Sequence, residues 1–181
     1  MKPKQLIFDY LHNKQEARNP RFPHFDQPLK IIIIYESDVL ERNDAMKTIR
    51  QDLLKRHMDV TMWGYVEKQE ITSLVLPQSR ILGLRDYNFF GVPRDYVIKG
   101  LQAEHYDLLI DLTTRPLLPL RYIAMYANAD FKAGLNLGEG IHDMLLSLPD
   151  FSPEQGEDAS LEASWLYDQI MRYITTIKSN D

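Results

Sequence analysis

Six residues in two short stretches of the chain carry groups suited to gripping a polar ligand: Glu36, Ser37 and Asp38, and Thr113, Thr114 and Arg115. Carboxylates accept hydrogen bonds from ligand hydroxyls, side-chain hydroxyls donate and accept, and a guanidinium holds an anion through a planar fork of donors. The same residues have a plainer reading. Asp38 followed by Glu41 resembles a helix-capping pair, and Thr114 or Arg115 ahead of Pro116 marks the start of the next helix. Asp111, at the end of an apolar run, is expected to be a structural, hydrogen-bonding carboxylate rather than a catalyst.

Most other chemistries are missing from the sequence. A phosphate-cradling loop needs glycines that let backbone N–H groups converge and a lysine that reaches the outer phosphates, and no GxxxxGK[ST] occurs. The turn after the first apolar run, Glu36-Ser37-Asp38, has no glycine, so no dinucleotide fingerprint is present either. The cluster Gly134, Gly138 and Gly140 has the wrong spacing and includes Glu139, which would repel a pyrophosphate; it reads as a loop. His12, His24, His57, His105 and His142 are scattered and form no pair at helical ligand spacing, so no metal site is expected. No serine lies in a GxSxG elbow. With no cysteine, there can be no disulfide, thiolate metal site or cysteine nucleophile. No catalytic residue and no cofactor are assigned.

The elements that must carry these groups are legible from periodicity. Residues Leu29 to Tyr35 include four successive isoleucines, Ile31 to Ile34, without polar alternation, as in a strand covered on both faces. A helix is expected from Val39 to His57 and a strand from Val60 to Tyr65, a β-α-β unit that favours a right-handed crossover and a parallel pair. After an irregular or helical stretch at Glu70 to Leu76, further strands are expected at Arg80 to Leu84, Tyr106 to Leu112, Phe131 to Leu135 and Met144 to Leu148. Helices are expected at Arg94 to Leu101 and Pro116 to Asn128. Ser152-Pro153-Glu154-Gln155 is a helix-start signature. The last helix, Ser160 to Ile177, has Leu161, Trp165, Leu166, Ile170, Ile174 and Ile177 on a core stripe. The aromatic turn Tyr87 to Gly91 is expected to pack Tyr87, Phe89 and Phe90 inward.

These elements predict an α/β fold: a three-layer, doubly wound, mostly parallel sheet of Rossmann-like type with strand order 3-2-1-4-5 and flanking N- and C-terminal helices. Residues 1–28 read as a basic helix, Lys4 to Gln15 with Leu6, Ile7, Tyr10 and Leu11 on one face, plus an extended connector. Residues 29–181 read as a single domain. In such sheets the ligand crevice lies outside the carboxyl ends of the strands where their order reverses. That point falls between the first and fourth strands, where the six residues named first emerge.

Charge and targeting narrow the partners. The net charge of −5 over 181 residues argues against a nucleic-acid binder that relies on phosphate neutralisation. Residues 1–30 carry six basic and three acidic side chains, and residues 150–181 two and seven, a polarity that solvated surfaces explain. No signal-peptide core or membrane-spanning run appears, so a cytoplasmic protein is expected. A small polar ligand or a protein partner, a homodimer included, fits; association of the N-terminal helix with a membrane surface is a further alternative.

Two stretches resemble a known family. Ile31 to Leu40 resembles the first strand and turn of heptosyltransferase-type glycosyltransferases, and Tyr106 to Leu112 through Phe131 to Leu135 resembles their fourth strand, helix and fifth strand. The resemblance covers residues 29–136 and implies an acceptor base at Asp38, although the family's preceding glycine is Ser37 here. It does not extend to a donor-binding domain. The whole chain also resembles an uncharacterised bacterial protein family, through its basic N-terminal helix, the Asn88 to Gly91 turn and the Tyr106 to Leu112 strand; that resemblance implies fold and no activity. The expectation is therefore a non-enzymatic ligand-binding or protein-interaction domain retaining half of a glycosyltransferase-like scaffold. The alternative is a sugar or nucleotide-sugar enzyme, or a subunit of one, with Asp38 as general base.

Overall fold

The isoleucine run becomes the central strand of a six-stranded, all-parallel sheet in the computed structural model of the chain. The structure describes residues 3–37, 40–67, 79–137, 140–147 and 159–177; within them the side chains of 40–43 and 159–162 are not described. In chain order the elements are α1 (Pro3–Asn13), β1 (Lys30–Glu36), α2 (Leu40–Lys55), β2 (Asp59–Tyr65), β3 (Ser79–Leu82), α3 (Asp95–Gln102), β4 (Tyr106–Asp111), α4 (Leu118–Tyr126), β5 (Ala129–Leu135), β6 (Met144–Leu146) and α5 (Ala159–Thr176). A single 3₁₀ turn, Leu84–Asp86, follows β3. The sheet order is β3-β2-β1-β4-β5-β6, which is the expected 3-2-1-4-5 order extended by one edge strand.

Alternation along β1 explains why its four isoleucines are all needed. Ile31 and Ile33 join a core formed with Met46, Ile49 and Leu53 of α2 and Leu166, Ile170 and Ile174 of α5. Ile32 and Ile34 face the other way, into a core with Phe8 of α1, Val97 and Leu101 of α3, and Leu120 and Ile123 of α4. All four are fully buried. Successive side chains point to opposite faces of a sheet, so only a strand covered on both sides tolerates such a run. Truncating Ile33 to alanine would remove atoms from a filled core at a cost of about 2–5 kcal/mol.

Several expectations about side chains change. On α5 the inward residues are Ala163, Leu166, Tyr167, Ile170, Met171 and Ile174, spaced three and four apart. Trp165, next to Leu166 in sequence, is turned about 100° from it around the helix and is half-exposed, as is Ile177 beyond the helix end. On α1 the buried residue is Phe8, set edge-on against Tyr122 of α4; of the residues expected to pack, Leu11 is partly buried against the same core, while Leu6 and Tyr10 stay in solvent. Tyr87 packs inward, against Tyr65, with its hydroxyl donating to the Pro119 carbonyl at 3.3 Å. Phe89 and Phe90 point outward instead, 86% and 49% exposed. The cause is the turn itself: Asn88 Oδ1 accepts the N–H groups of Phe90 and Val92, and Gly91 takes a positive φ of 82°. Gly134 lies inside β5 rather than in a loop. The expected helix start at Ser152 and the stretch Glu70 to Leu76 fall outside the described residues.

Candidate functional site at the carboxyl ends of β1 and β4

β1 and β4 are adjacent, and the chain winds away from them in opposite directions, through β2 and β3 on one side and β5 and β6 on the other. The residues leaving their carboxyl ends therefore line the reversal point of the sheet. Register puts Ile34 opposite Asp111, so Glu36 and Ser37 extend past the rim beside the chain that continues from Leu112 to Arg115. Among the described residues, five polar or charged residues are buried: Glu36, Ser37, Asp111, Thr113 and Lys132. Four of the five stand at this rim. Burying such groups is unfavourable unless each finds a partner, so their concentration at one place marks a built polar site.

The partners are specific. Arg115 Nε donates to Glu36 Oε2 at 3.0 Å, and its Nη2 donates to the other carboxylate oxygen, a bidentate pair in which Glu36 is buried while the Arg115 side chain is about half-exposed. Ser37 N donates to the Tyr65 carbonyl at 2.7 Å, tying the rim of β1 to β2. Burial pushes the Tyr35 hydroxyl up to about 12, with a hydrogen bond to Ser37 acting in the opposite direction. Tyr65 is also raised, first by burial and then by the charges of Glu67 and Glu36. Thr113 turns back on Asp111, whose Oδ1 accepts both the Thr113 backbone N–H, at 2.9 Å, and its hydroxyl. Thr114 is half-buried.

The other Asp111 oxygen, Oδ2, lies 2.9 Å from His142 Nε2, and both side chains are over nine-tenths buried. Gly134 makes this possible. A Cβ at residue 134 would stand 2.9 Å from His142 Nε2 and 3.0 Å from the Asp111 Cβ. The rim thus contains a network running from Thr113 through Asp111 to His142, seated over a glycine of the neighbouring strand.

Of the six residues expected at the crevice, the structure pairs Glu36 with Arg115 and directs Thr113 onto Asp111; Ser37 is buried and bonded to Tyr35 and Tyr65 instead, and Thr114 is half-buried. Asp38 lies outside the described residues. The reading of Asp111 as a hydrogen-bonding carboxylate agrees with its three donors. His142 and the strand glycine beneath it were missed, and the only sequence signal was an aspartate ending an otherwise apolar strand.

A second grouping also escaped the sequence reading, which took the histidines as scattered and expected no metal. His105, Asp107 and Asp130 meet at the amino ends of β4 and β5, with donor atoms within 4.8 Å of one another. They could hold a cation, but each already has a partner: Asp107 Oδ2 accepts the Lys30 N–H at 2.7 Å, and His105 Nε2 lies 3.4 Å from Asp130. His105 is more than half-exposed.

The model of a family of unknown function, DUF6913, matches residues 4–153. The chain belongs to this family. No curated protein matches the DUF6913 chain. Among solved structures it is similar to the E. coli heptosyltransferase WaaC with ADP-2-deoxy-2-fluoro heptose, at 15% identity and a TM-score of 0.52, covering 77% of this chain and 47% of that one. The same enzyme with ADP gives 18% identity and a TM-score of 0.48, covering 77% and 46%. The DUF6913 chain spans about half the length of the heptosyltransferase chains it matches. At this identity the likeness is one of fold, and it agrees with the parallel, doubly wound sheet.

Proposed function

We propose that this domain binds a small polar ligand at the carboxyl ends of β1 and β4 and does not itself transform it. The observation carrying this reading is the concentration of four of the five described buried polar residues at that rim, each held by a neighbour. A catalytic group is ordinarily presented to substrate with a base or acid poised on it. Here the carboxylates of Glu36 and Asp111 are engaged by Arg115, Thr113 and His142. Such mutual support suits a rigid binding surface, since side chains locked before the ligand arrives lose little further freedom on binding. The half-exposed Arg115 guanidinium suits an anionic group, and the half-buried Thr114 supplies a hydroxyl next to it in the chain. The ligand class is a hydroxyl-bearing anion such as a sugar phosphate, a nucleotide or a nucleotide sugar.

The test is a thermal-shift screen of wild-type protein and Arg115→Met against sugar phosphates, ADP and nucleotide sugars at millimolar concentration. A ligand that binds only the folded state raises Tm. The reading expects at least one compound to raise the wild-type Tm and to lose that effect in Arg115→Met. A flat response across the panel contradicts it.

A second reading, an enzyme acting on a sugar or nucleotide sugar with Asp38 as general base, is favoured by the place of that residue in sequence, directly after the buried Ser37. It requires turnover that Asp38→Ala abolishes while the Tm response to ligand persists.

A further inference from the structure

Among the described residues, the large apolar side chain most open to water is Phe89. It stands with Phe90 at the apex of a small hairpin between β3 and α3. Arg94 N donates to the Asp86 carbonyl and Asn88 N to the Val92 carbonyl, both at 2.9 Å, and Tyr87 forms an antiparallel bridge with Pro93. Gly91 N closes the apex onto the Asn88 carbonyl at 2.9 Å, which makes Phe89 and Phe90 the two central residues of the turn. Their rings meet edge to face with centroids 5.5 Å apart. The hairpin is fixed to α4, since Tyr87 reaches the Pro119 carbonyl and a Cβ at Gly91 would stand 3.6 Å from the Leu118 side chain. A braced stem thus holds two apolar rings out in water.

The flanks of the hairpin are basic. Arg85 and Arg94 are exposed on the stem, where Arg94 Nε donates to the Arg85 carbonyl at 2.9 Å, and the exposed Lys4 of α1 runs its side chain beside Gly91. The one carboxylate of residues 84–94, Asp86, is engaged by the Gly83 N–H at 2.7 Å and the Tyr96 hydroxyl at 2.5 Å. Asp95 follows in the first turn of α3. Lys4 and the hairpin therefore set three cations against one occupied carboxylate, in a chain whose net charge is −5.

We propose that this hairpin docks the protein on an anionic lipid surface, with Phe89 and Phe90 entering the headgroup region and Lys4, Arg85 and Arg94 facing the lipid phosphates. An apolar apex with basic flanks complements a bilayer, which is anionic at its surface and apolar beneath. Area favours lipid over a folded partner. Even with Leu84 and Tyr96 at its base, the hairpin exposes roughly 500 Å² of large apolar side chain, short of the about 800 Å² each partner gives to a stable protein interface. Entry into a bilayer needs no matching pocket. The hairpin follows the carboxyl end of β3, and in a parallel sheet that is the end where β1 and β4 also finish, so docking turns the rim toward the lipid. None of the docking residues belongs to the rim, and the inference stands apart from the ligand reading.

The test is co-sedimentation of the full chain with vesicles of phosphatidylcholine alone and of phosphatidylcholine mixed with phosphatidylglycerol, at about 0.15 M salt, where charges act over about 8 Å. The expected result is pelleting of wild type with the mixed vesicles, several-fold less with phosphatidylcholine alone, and several-fold less in Phe89→Ser and in the double variant Lys4→Glu, Arg85→Glu. Salt at about 1 M, which shortens that range to about 3 Å, should release the bound protein. Wild type that stays in solution with the mixed vesicles overturns the proposal, including wild type that instead self-associates through Phe89, and this reading does not depend on whether a variant folds. Phe89→Ser that pellets as well as wild type overturns it too.

Discussion

His142 Nε2 sits 2.9 Å from Asp111 Oδ2, and the contact exists because residue 134 of the adjoining strand has no side chain. One carboxylate at the end of β4 therefore organises the rim, gathering Thr113 with one oxygen and His142 with the other.

Gly134→Ala should force His142 off Asp111 without any penalty from backbone conformation, since Gly134 lies in a regular strand. Overpacking of this kind costs about 1–3 kcal/mol. Urea denaturation should show a lower midpoint with an unchanged slope.

Asp111→Ala should be more damaging than His142→Ala. The first change leaves the Thr113 N–H, the Thr113 hydroxyl and His142 without their acceptor, and stranded buried groups cost about 1–3 kcal/mol each before relaxation. The second leaves Asp111 still bonded to Thr113. Equal losses in urea titrations of the two variants would show that Asp111 does not organise the rim.

Lys132 should leave a signature in stability against pH. Its folded value of about 7 lies below the unfolded value of 10.5, so between these the unfolded chain holds a proton that the folded chain lacks. Stability from this group therefore rises with pH across that window, at up to about 1.4 kcal/mol per pH unit. Measured from pH 7.5 to 9.5, the slope should be present in wild type and flattened in Lys132→Met.

The outward aromatics give an opposite expectation. Phe89→Ser, at a side chain 86% exposed, should change stability by less than about 0.5 kcal/mol. Asn88→Ala, which removes the acceptor for the Phe90 and Val92 N–H groups, should cost more. Thermal melts of the two variants decide this.

What the sequence made legible was what local periodicity controls. The isoleucine run could only be a strand covered on both faces, and the alternation of strands and helices led to the sheet order and to its reversal point. Glu36 and Arg115 were named from that topology. Their pairing was not, because it depends on two side chains 79 residues apart meeting across adjacent strands. His142 was invisible for the same reason: it follows β5 in a segment without periodicity, and its partner is 31 residues away. The outward Phe89 and Phe90 were misread because a general tendency of aromatics to pack was applied where Asn88 and Gly91 dictate the turn. Trp165 was misread by one position on a helix, enough to move it off the buried face.

The central claim is that a ligand binds where β1 and β4 end. A titration of ¹⁵N-labelled protein with ADP and with a hexose phosphate, followed by amide chemical shifts, tests it at the residues concerned. The account predicts saturable movement of the Ser37, Thr113, Thr114 and Arg115 amides with at least one of the two, absent in Arg115→Met. Stationary signals at all four, or movement confined to other parts of the sheet, would contradict it.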